Sequence, residues 1–237
     1  MKSNSKNTDR KGRTASGEAQ STDANKTKQL MFALSSNRSE ARHRTDEQLF
    51  EEVKTLIAAG ADVNAVNEYG RSALIIAAFN PKGNVLKALI DAGADVNERY
   101  CFGQTPLAFA VQNSPNPDII RILGAAGSDV EDKNTKGESL LSIAVVSDAR
   151  AGKVKAMLDV GSDVNAVDLQ GCTPLMAASE NTSDPAVIRM LIDAGADVNA
   201  TDTEGRTAAD YLEHNKKLQK LASYPKLRQE LAPTVVD

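Results

Sequence analysis

Apolar residues recur at helical spacing in several segments of the chain, and each of these segments ends at a glycine. In VLKALIDAG (Val85 to Gly93) and VIRMLIDAG (Val187 to Gly195), apolar side chains three and four positions apart would form one face of a helix. A glycine at the end suits the left-handed backbone that closes many helices, because it has no Cβ. The pattern therefore predicts amphipathic helices that end at fixed positions.

The same segment returns along the chain with a nearly constant period. The string Gly-Ala/Ser-Asp-Val-Asn/Glu occurs at intervals of 33 or 34 residues, and a second glycine follows each copy in one register. The first glycines are Gly60, Gly93, Gly127, Gly161 and Gly195. A leucine and an alanine keep the same phase at Leu74/Ala77, Leu107/Ala110, Leu141/Ala144 and Leu175/Ala178. Self-similarity at this period predicts a stack of repeated units.

The residues between the glycines predict how each unit is built. A polar turn holds the second glycine, and a hydroxyl residue follows at Ser72, Thr105, Ser139, Thr173 or Thr207. Its oxygen can cap the free amides of a new helix, and Pro106 and Pro174 suit the first helical position. The aspartates of the repeated string are interpreted as acceptors for turn amides rather than as metal ligands. Each unit is thus predicted to be a turn, a short helix, a loop and a second helix.

These motifs resemble those of the ankyrin repeat family. GRSALIIAA, GQTPLAFAV and GCTPLMAAS match its G-x-T-P-L-x-x-A-A signature, and LIDAGADVN matches the end of its second helix. The resemblance implies an all-α fold: an ankyrin-repeat solenoid of about six helix pairs joined by hairpin-like turns, over residues 28–224. We expect a flexible, disordered basic polar leader over residues 1–27, and a C-terminal tail over residues 225–237 with room for a short helix.

Two departures from the family pattern stand out. The usual histidine after T-P-L is replaced in every copy, and Gly124 stands where the other repeats carry a branched residue: Ile57, Ile90, Leu158 or Ile192. A glycine in a helix costs on the order of 1 kcal/mol in propensity, and the missing side chain should leave a packing deficit. We therefore expect the repeat with Gly124 to be the softest internal unit, and Gly124→Ile to raise the melting temperature.

Charge and composition narrow the class of protein. The formal net charge is −4, yet residues 1–28 carry seven Lys or Arg and three Asp or Glu. A basic leader could touch an acidic surface, but a solvated segment is the favoured interpretation. No apolar run is long enough to span a bilayer, and no signal peptide is recognisable. We expect a cytoplasmic protein, with export by a route that needs no signal left open.

Little in the sequence supports catalysis. The two histidines, His43 and His214, fall in a predicted insertion around residues 37–45 and in the last unit, so they cannot easily converge. No phosphate-binding loop, zinc motif or nucleophile elbow is found. Cys101 and Cys172 lie two repeats apart, roughly 20 Å, which is too far for a disulfide. We predict a protein that is not an enzyme and needs no metal or other cofactor.

In ankyrin proteins the turn tips and the inner sides of the first helices commonly hold the partner. Carried over position by position, this implies a protein-binding face formed by Tyr69, Arg71, Phe79, Cys101, Phe102, Gln104, Gln112, Lys136, Leu169, Gln170, Glu180 and Glu204. Tyr69, Phe102 and Leu169 are large apolar groups at turn positions, which favours contact with a partner. The alternative is that they fold back and pack on neighbouring turns.

The predicted function is therefore a non-catalytic protein–protein interaction module, an adaptor or a scaffold, that binds through the concave face and turn tips. The alternative is a dedicated inhibitor or accessory subunit of one enzyme or toxin, or a host-directed effector. Charges on the turn tips cancel, which argues against nucleic acid as a partner. We expect a monomer when unbound, with no membrane attachment.

Overall fold

The computed structural model describes residues 15–35, 45–79, 83–100, 103–147 and 151–232. Within these ranges the chain forms α-helices joined by short turns, with isolated β-bridges in place of strands. The helices are α1 Ala15–Ser35, α2 Asp46–Ala58, α3 Ala73–Phe79, α4 Gly83–Asp91, α5 Pro106–Asn113, α6 Asp118–Ala125, α7 Leu140–Val146, α8 Ala151–Asp159, α9 Pro174–Asn181, α10 Pro185–Asp193, α11 Ala208–His214 and α12 Tyr224–Glu230. A 3₁₀ turn at Leu218–Lys220 separates the last two.

The helices stack as pairs. Each odd-numbered helix from α1 to α9 packs on the even-numbered helix that follows it, and the pairs from α1/α2 to α9/α10 pack side by side, helix on equivalent helix. In the sixth unit α11 packs on α9 and is followed by the 3₁₀ turn and α12, the short helix expected near the C-terminus. This arrangement confirms the predicted all-α solenoid. We call the odd-numbered helices the inner helices and the even-numbered ones the outer helices.

The in-phase leucines and alanines form the spine of the core. Leu74, Leu107, Leu141 and Leu175, with the alanine three positions after each, are at most 1% exposed. Burying a leucine side chain stabilises the fold by about 1.5–3 kcal/mol, while the small alanines let neighbouring inner helices approach closely. One module cannot bury these residues alone, so stability comes from stacking.

The turns follow the chemistry predicted from the sequence. All ten glycines of the two repeated sets have positive φ. The hydroxyl residues cap the inner helices: Thr105 Oγ1, for example, accepts from Ala108 N at 3.2 Å. The repeated aspartates accept from backbone amides two residues on, as Asp95 Oδ1 does from Asn97 N at 2.9 Å.

Asparagine side chains, which the sequence reasoning did not single out, join successive repeats. Asn97 Nδ2 donates to Gly127 O at 3.0 Å, and Asn97 Oδ1 accepts from Asp129 N at 2.8 Å. We call these contacts the asparagine bridges, and Asn64 and Asn165 form them with their own following repeats.

The fourth unit carries Glu131 in place of the bridging asparagine. Glu131 Oε1 accepts from Asp163 N at 2.9 Å, as an asparagine oxygen does elsewhere. A carboxylate has no N–H to donate, so the second half of the bridge, a bond to the carbonyl of Gly161, is not formed by this side chain.

The first helix extends across the boundary that was predicted for the leader. Helix α1 runs from Ala15 to Ser35, so residue 27 falls inside it, and residues 1–14 lie outside the described part of the chain. Thr27 Oγ1 accepts from Asp62 N at 2.9 Å, and Lys26 Nζ donates to the Ala59 carbonyl. These side chains supply the acceptor and donor that an asparagine bridge supplies elsewhere. The early start of α1 was not predicted because this segment lacks an apolar repeat.

The predicted insertion around residues 37–45, with His43, lies outside the described residues except for Thr45. The start of the helix that follows this segment is described. Thr45 Oγ1 accepts from Gln48 N at 3.2 Å, and the Gln48 side chain accepts from Thr45 N at 2.8 Å. This reciprocal capping box fixes the start of α2.

The expected packing deficit at Gly124 is absent. A Cβ placed on Gly124 would lie 2.5 Å from Cγ1 and 2.7 Å from Cβ of Val160, in the next repeat. Val160 stands where the other repeats have alanine, so its larger side chain fills the space beside the glycine. We therefore replace the expectation that Gly124→Ile stabilises the protein with the opposite prediction, because an isoleucine there would collide with Val160.

Candidate functional site

The predicted binding residues that the structure describes lie in the hairpin tips and on the inner helices. We call the surface made of the hairpin tips and the exposed sides of the inner helices the inner face. Tyr69 (66% exposed), Phe79 (59%) and Leu169 (70%) are open to solvent. Gln104 is half-buried, and the remaining described members are exposed: Arg71, Gln112, Lys136, Gln170, Glu180 and Glu204. Cys101 and Phe102 lie outside the described residues.

One end of the inner face is aromatic. The rings of Phe79 on α3 and Phe109 on α5 lie with their centroids 6.3 Å apart and their planes at 58°. Arg71 Nε donates to Tyr100 Oη at 3.3 Å, and its guanidinium lies over that ring, 5.9 Å from the centroid. Tyr69 extends from the same hairpin as Arg71. Exposed aromatic groups of this kind are frequent anchors in protein interfaces.

Two adjoining cavities form a groove in the middle of the face. One, of about 300 Å³, lies beside Gln104 and the hairpin at Asn134; the other, of about 420 Å³, lies between α7 and α9. Gln112, Asn134 and Ile143 line both, so the groove crosses more than one repeat. Gln104 Nε2 donates to Gln112 Oε1 at 3.0 Å, which brings these two predicted residues together.

Two carboxylates that the predicted set does not contain, Glu138 and Asp168, line the larger cavity and are half-buried. Asn134 Nδ2 donates to Glu138 Oε2 at 2.6 Å, while Asp168 Oδ1 accepts from two backbone amides of its own hairpin at 2.8 and 2.9 Å. Glu138 is one of the turn-tip charges that cancel in the sequence, and it was therefore not selected as a binding residue. The signal that could have found Asp168 is its position, three residues before a repeated glycine.

Backbone hydrogen bonds hold neighbouring hairpins together. Leu169 N donates to Lys136 O at 3.3 Å, and Thr203 N donates to Gln170 O at 2.9 Å. The Leu169 side chain also lies beside Gly137 in the preceding hairpin, where a Cβ would come within 3.0 Å of its Cγ. One side of Leu169 thus packs on a neighbouring turn, while most of its surface stays open to solvent. The last three hairpin tips therefore form a connected edge instead of separate loops.

A polar cluster closes the C-terminal end of the face. Asp202, whose side chain is fully buried, accepts from Tyr211 Oη at 2.7 Å and from Arg206 Nε at 2.8 Å. Burial alone would raise the pKa of the Asp202 carboxyl, but hydrogen bonds from Tyr211, Arg206 and the Glu204 amide outweigh it and lower that pKa. Arg206 also pairs with Glu204 at 3.2 Å, so both groups support the hairpin.

Cys172 shows no sign of being a nucleophile. Its Sγ lies 3.2 Å from Tyr211 Oη, and burial raises the pKa of the thiol. Among the described residues, no group of three or more His, Cys, Asp or Glu side chains is placed to hold a metal ion. No helix in the described ranges is long and apolar enough to cross a membrane.

The fold is a stack of repeated helix pairs, and a groove runs along its inner face. The family model for ankyrin repeats (three copies) matches residues 41–134 and, in a second match, residues 110–202. These matches cover more than half of the chain, which belongs to the ankyrin repeat family. Ankyrin repeats are protein-binding modules, typically without catalysis, so the chain carries a protein–protein interaction domain.

Two solved structures are similar over most of their length. EF0377, an ankyrin repeat protein, is 27% identical with a TM-score of 0.65; the match covers 85% of this chain and 96% of that one. A chain from the complex of the predatory endopeptidase Bd0816 from Bdellovibrio bacteriovorus with the immunity protein Bd3460 is 25% identical, with a TM-score of 0.63 and coverage of 86% and 95%. No curated protein sequence matches the chain.

Proposed function

We propose that this protein is a non-catalytic adaptor or scaffold that binds an extended segment of a protein partner along its inner face. The observation that supports this most is the continuous groove between Gln104 and Ala177, which crosses three inner helices. Of the exposed apolar residues, Val146 lines the larger cavity and Phe79 lies on the next inner helix, against the Phe109 ring. A concave surface with a few convergent polar groups is where a binding site is expected first.

A comparison of captured proteins tests the proposal. The full chain and the double variant Phe79→Ser/Val146→Ser would be used as baits in extracts of the native cell, followed by mass spectrometry. Both side chains are more than half exposed, so the fold should tolerate the change. The control Leu221→Ser removes an exposed apolar side chain at the C-terminal end of the stack, outside the hairpins and the inner helices. Partners kept by the control and lost by the inner-face variant support the proposal; partners kept by both contradict it.

The second candidate is a dedicated inhibitor of one enzyme, favoured by the similarity to a chain of the endopeptidase–immunity protein complex. In that case one hydrolase should dominate the captured proteins at a 1:1 ratio. Titrating the purified chain against that hydrolase should abolish its activity at stoichiometric amounts, and Phe79→Ser/Val146→Ser should weaken the inhibition. Several weak partners, or a hydrolase that remains active when saturated, would favour the scaffold instead.

We also propose that the unbound protein is a cytoplasmic monomer without affinity for nucleic acid. The hairpin tips carry Arg71 and Lys136 but also Glu138 and Glu204, and so lack the clustered cations that phosphate binding needs. Light scattering at micromolar concentration should give the mass of one chain, and a labelled duplex should show no mobility shift. A dimer mass, or a salt-sensitive shift, would contradict this.

A further inference from the structure

We infer that the inner face selects partners by a paired signal: an apolar side chain and, about six residues away on the same extended segment, a lysine or arginine. The apolar group would rest on the Phe79–Phe109 pair, and the cation would enter the larger cavity between Glu138 and Asp168. This inference rests on the proposed function and adds to it the chemistry of the partner.

The larger cavity has the lining that a long cationic side chain needs. Its charged groups are Glu138 and Asp168, and the rest of its lining combines neutral polar groups with the aliphatic side chains of Ile143 and Val146. Lysine and arginine place an apolar stem on such surfaces and a charged head on carboxylates. A volume of about 420 Å³ accommodates one side chain of this length.

The two carboxylates differ from Asp132 and Asp202, two other acidic side chains of the hairpins, in lacking a cation of their own. Asp132 pairs with Arg99 at 3.1 Å, and Asp202 pairs with Arg206 at 2.8 Å. In the described part of the chain, no lysine or arginine nitrogen lies within 4.0 Å of the Glu138 or Asp168 carboxylate. Their charge is therefore uncompensated inside the cavity, which makes it complementary to a cation from outside.

The position of Glu138 strengthens the contrast between repeats. The residue after each second glycine is Arg71, Gln104, Glu138, Cys172 and Arg206 in successive hairpins. An arginine at this place compensates the hairpin carboxylate in the last unit, where Arg206 bonds Asp202. In the middle of the stack a glutamate stands there instead, and negative charge accumulates in the larger cavity of the groove.

Spacing along the stack sets the length of the partner segment. The Phe79–Phe109 pair lies between α3 and α5, and the carboxylates lie at the cavity between α7 and α9, which is two inner-helix spacings further on. Packed helices are about 8–10 Å apart, so the two sites are separated by roughly 20 Å. An extended chain covers about 3.3 Å per residue, which gives about six residues.

Two substitutions neutralise the cavity with residue types that other repeats already carry. Glu138→Gln introduces the glutamine found at position 104, and Asp168→Asn introduces the asparagine found at position 134. Asp168→Asn also keeps a side-chain oxygen that can accept from the turn amides. The control D91N/D193N removes the same charge from exposed positions on the outer helices. Thermal unfolding within about 2 °C of the parent for both double variants would confirm intact folds.

The probe is a phage-displayed library of random twelve-residue peptides, selected on the immobilised full chain and again on E138Q/D168N and on D91N/D193N. We expect the parent and the control to enrich peptides with an apolar residue five to seven positions from a lysine or arginine. A selected peptide should bind E138Q/D168N about tenfold more weakly, and replacing its cation with norleucine should weaken binding to the parent but not to that variant.

The outcomes separate this inference from the proposed function. Peptides that bind the parent and lose binding with Phe79→Ser/Val146→Ser, but show no preference for a cation, overturn the inference and leave the proposed function standing. A cation preference that survives in E138Q/D168N overturns the inference as well. If no selected peptide depends on the inner face, both the inference and the proposed function are wrong.

Discussion

The pair formed by Gly124 and Val160 gives the sharpest test of how the repeats pack. Gly124→Ile restores the branched residue of the other repeats, yet its Cβ would lie 2.5 Å from Val160 Cγ1, well inside ordinary contact. Either α6 and α8 must separate or Val160 must move. We therefore predict that Gly124→Ile lowers stability, and that adding Val160→Ala, the alanine of the other repeats, recovers most of the loss.

The magnitudes follow from opposing effects. Overpacking a filled site costs about 1–3 kcal/mol, while leaving glycine for isoleucine in a helix returns only about 0.5 kcal/mol. Val160 is half-buried, so Val160→Ala alone should cost about 1 kcal/mol for two methyl groups. The double variant should fall within about 1 kcal/mol of the parent, and the coupling energy should be about 1–3 kcal/mol and favourable.

Thermal and urea unfolding of the four proteins, followed by circular dichroism, measure this cycle. For a chain of this size 1 kcal/mol corresponds to about 2–4 °C, so Gly124→Ile should melt about 2–8 °C below the parent. Equal urea m-values across the set would show that all four unfold as the same cooperative unit. A higher melting temperature for Gly124→Ile with Val160 intact, or strictly additive effects, would refute the packing argument.

Three further predictions concern single side chains. Glu131→Asn supplies the missing amide donor to the Gly161 carbonyl and should raise the melting temperature by about 2–4 °C, as measured by circular dichroism. An unchanged melting temperature would contradict this prediction. Asp202→Asn should destabilise the protein at pH 7. Folding lowers the pKa of the Asp202 carboxyl, so the stabilisation it gives is present above the pKa of the unfolded chain and is lost on acidification. The difference in melting temperature between parent and variant should therefore shrink below about pH 4. Because burial raises the pKa of Cys172, iodoacetamide should alkylate it more slowly in the folded protein at pH 8 than in urea at the same pH, as read by peptide mass spectrometry; equal rates count against this.

Residues with one role in every repeat were predictable from the sequence. Each of them meets a requirement of its own segment: the glycines adopt a positive φ, hydroxyls such as Thr105 cap a free amide, and leucines such as Leu107 fill the buried side of a helix. Because these requirements recur with the period, one chain contains several copies of each sequence signal. This is why the helix pairs, the turns and the role of the repeated aspartates could be predicted from the sequence.

Contacts between repeats were harder to foresee, because each depends on two residues about thirty positions apart. Gly124 alone suggests a packing deficit, and only its contact with Val160 shows that the space is filled. Asn97 looks like a turn residue until its amide is seen to reach the next repeat. Thr27 resembles part of a polar leader until Asp62 is found within hydrogen-bond distance of it. Neither residue of such a pair reveals its partner when it is considered alone, even where one of them recurs with the period, as Asn64, Asn97 and Asn165 do.

The difference between repeated and variable positions also indicates which residues determine specificity for a partner. The shared backbone presents equivalent positions at each hairpin, so one partner can be told from another only by positions where the repeats differ. The residue before each second glycine is the extreme case: Tyr69, Phe102, Lys136, Gln170 and Glu204 differ in size, charge and polarity. The backbone of the turn does not account for that diversity, because its positive φ is supplied by the glycine that follows and not by this side chain. An inner face that is aromatic at one end and acidic in its central groove is what a stack of identical folds acquires when these positions are free to vary.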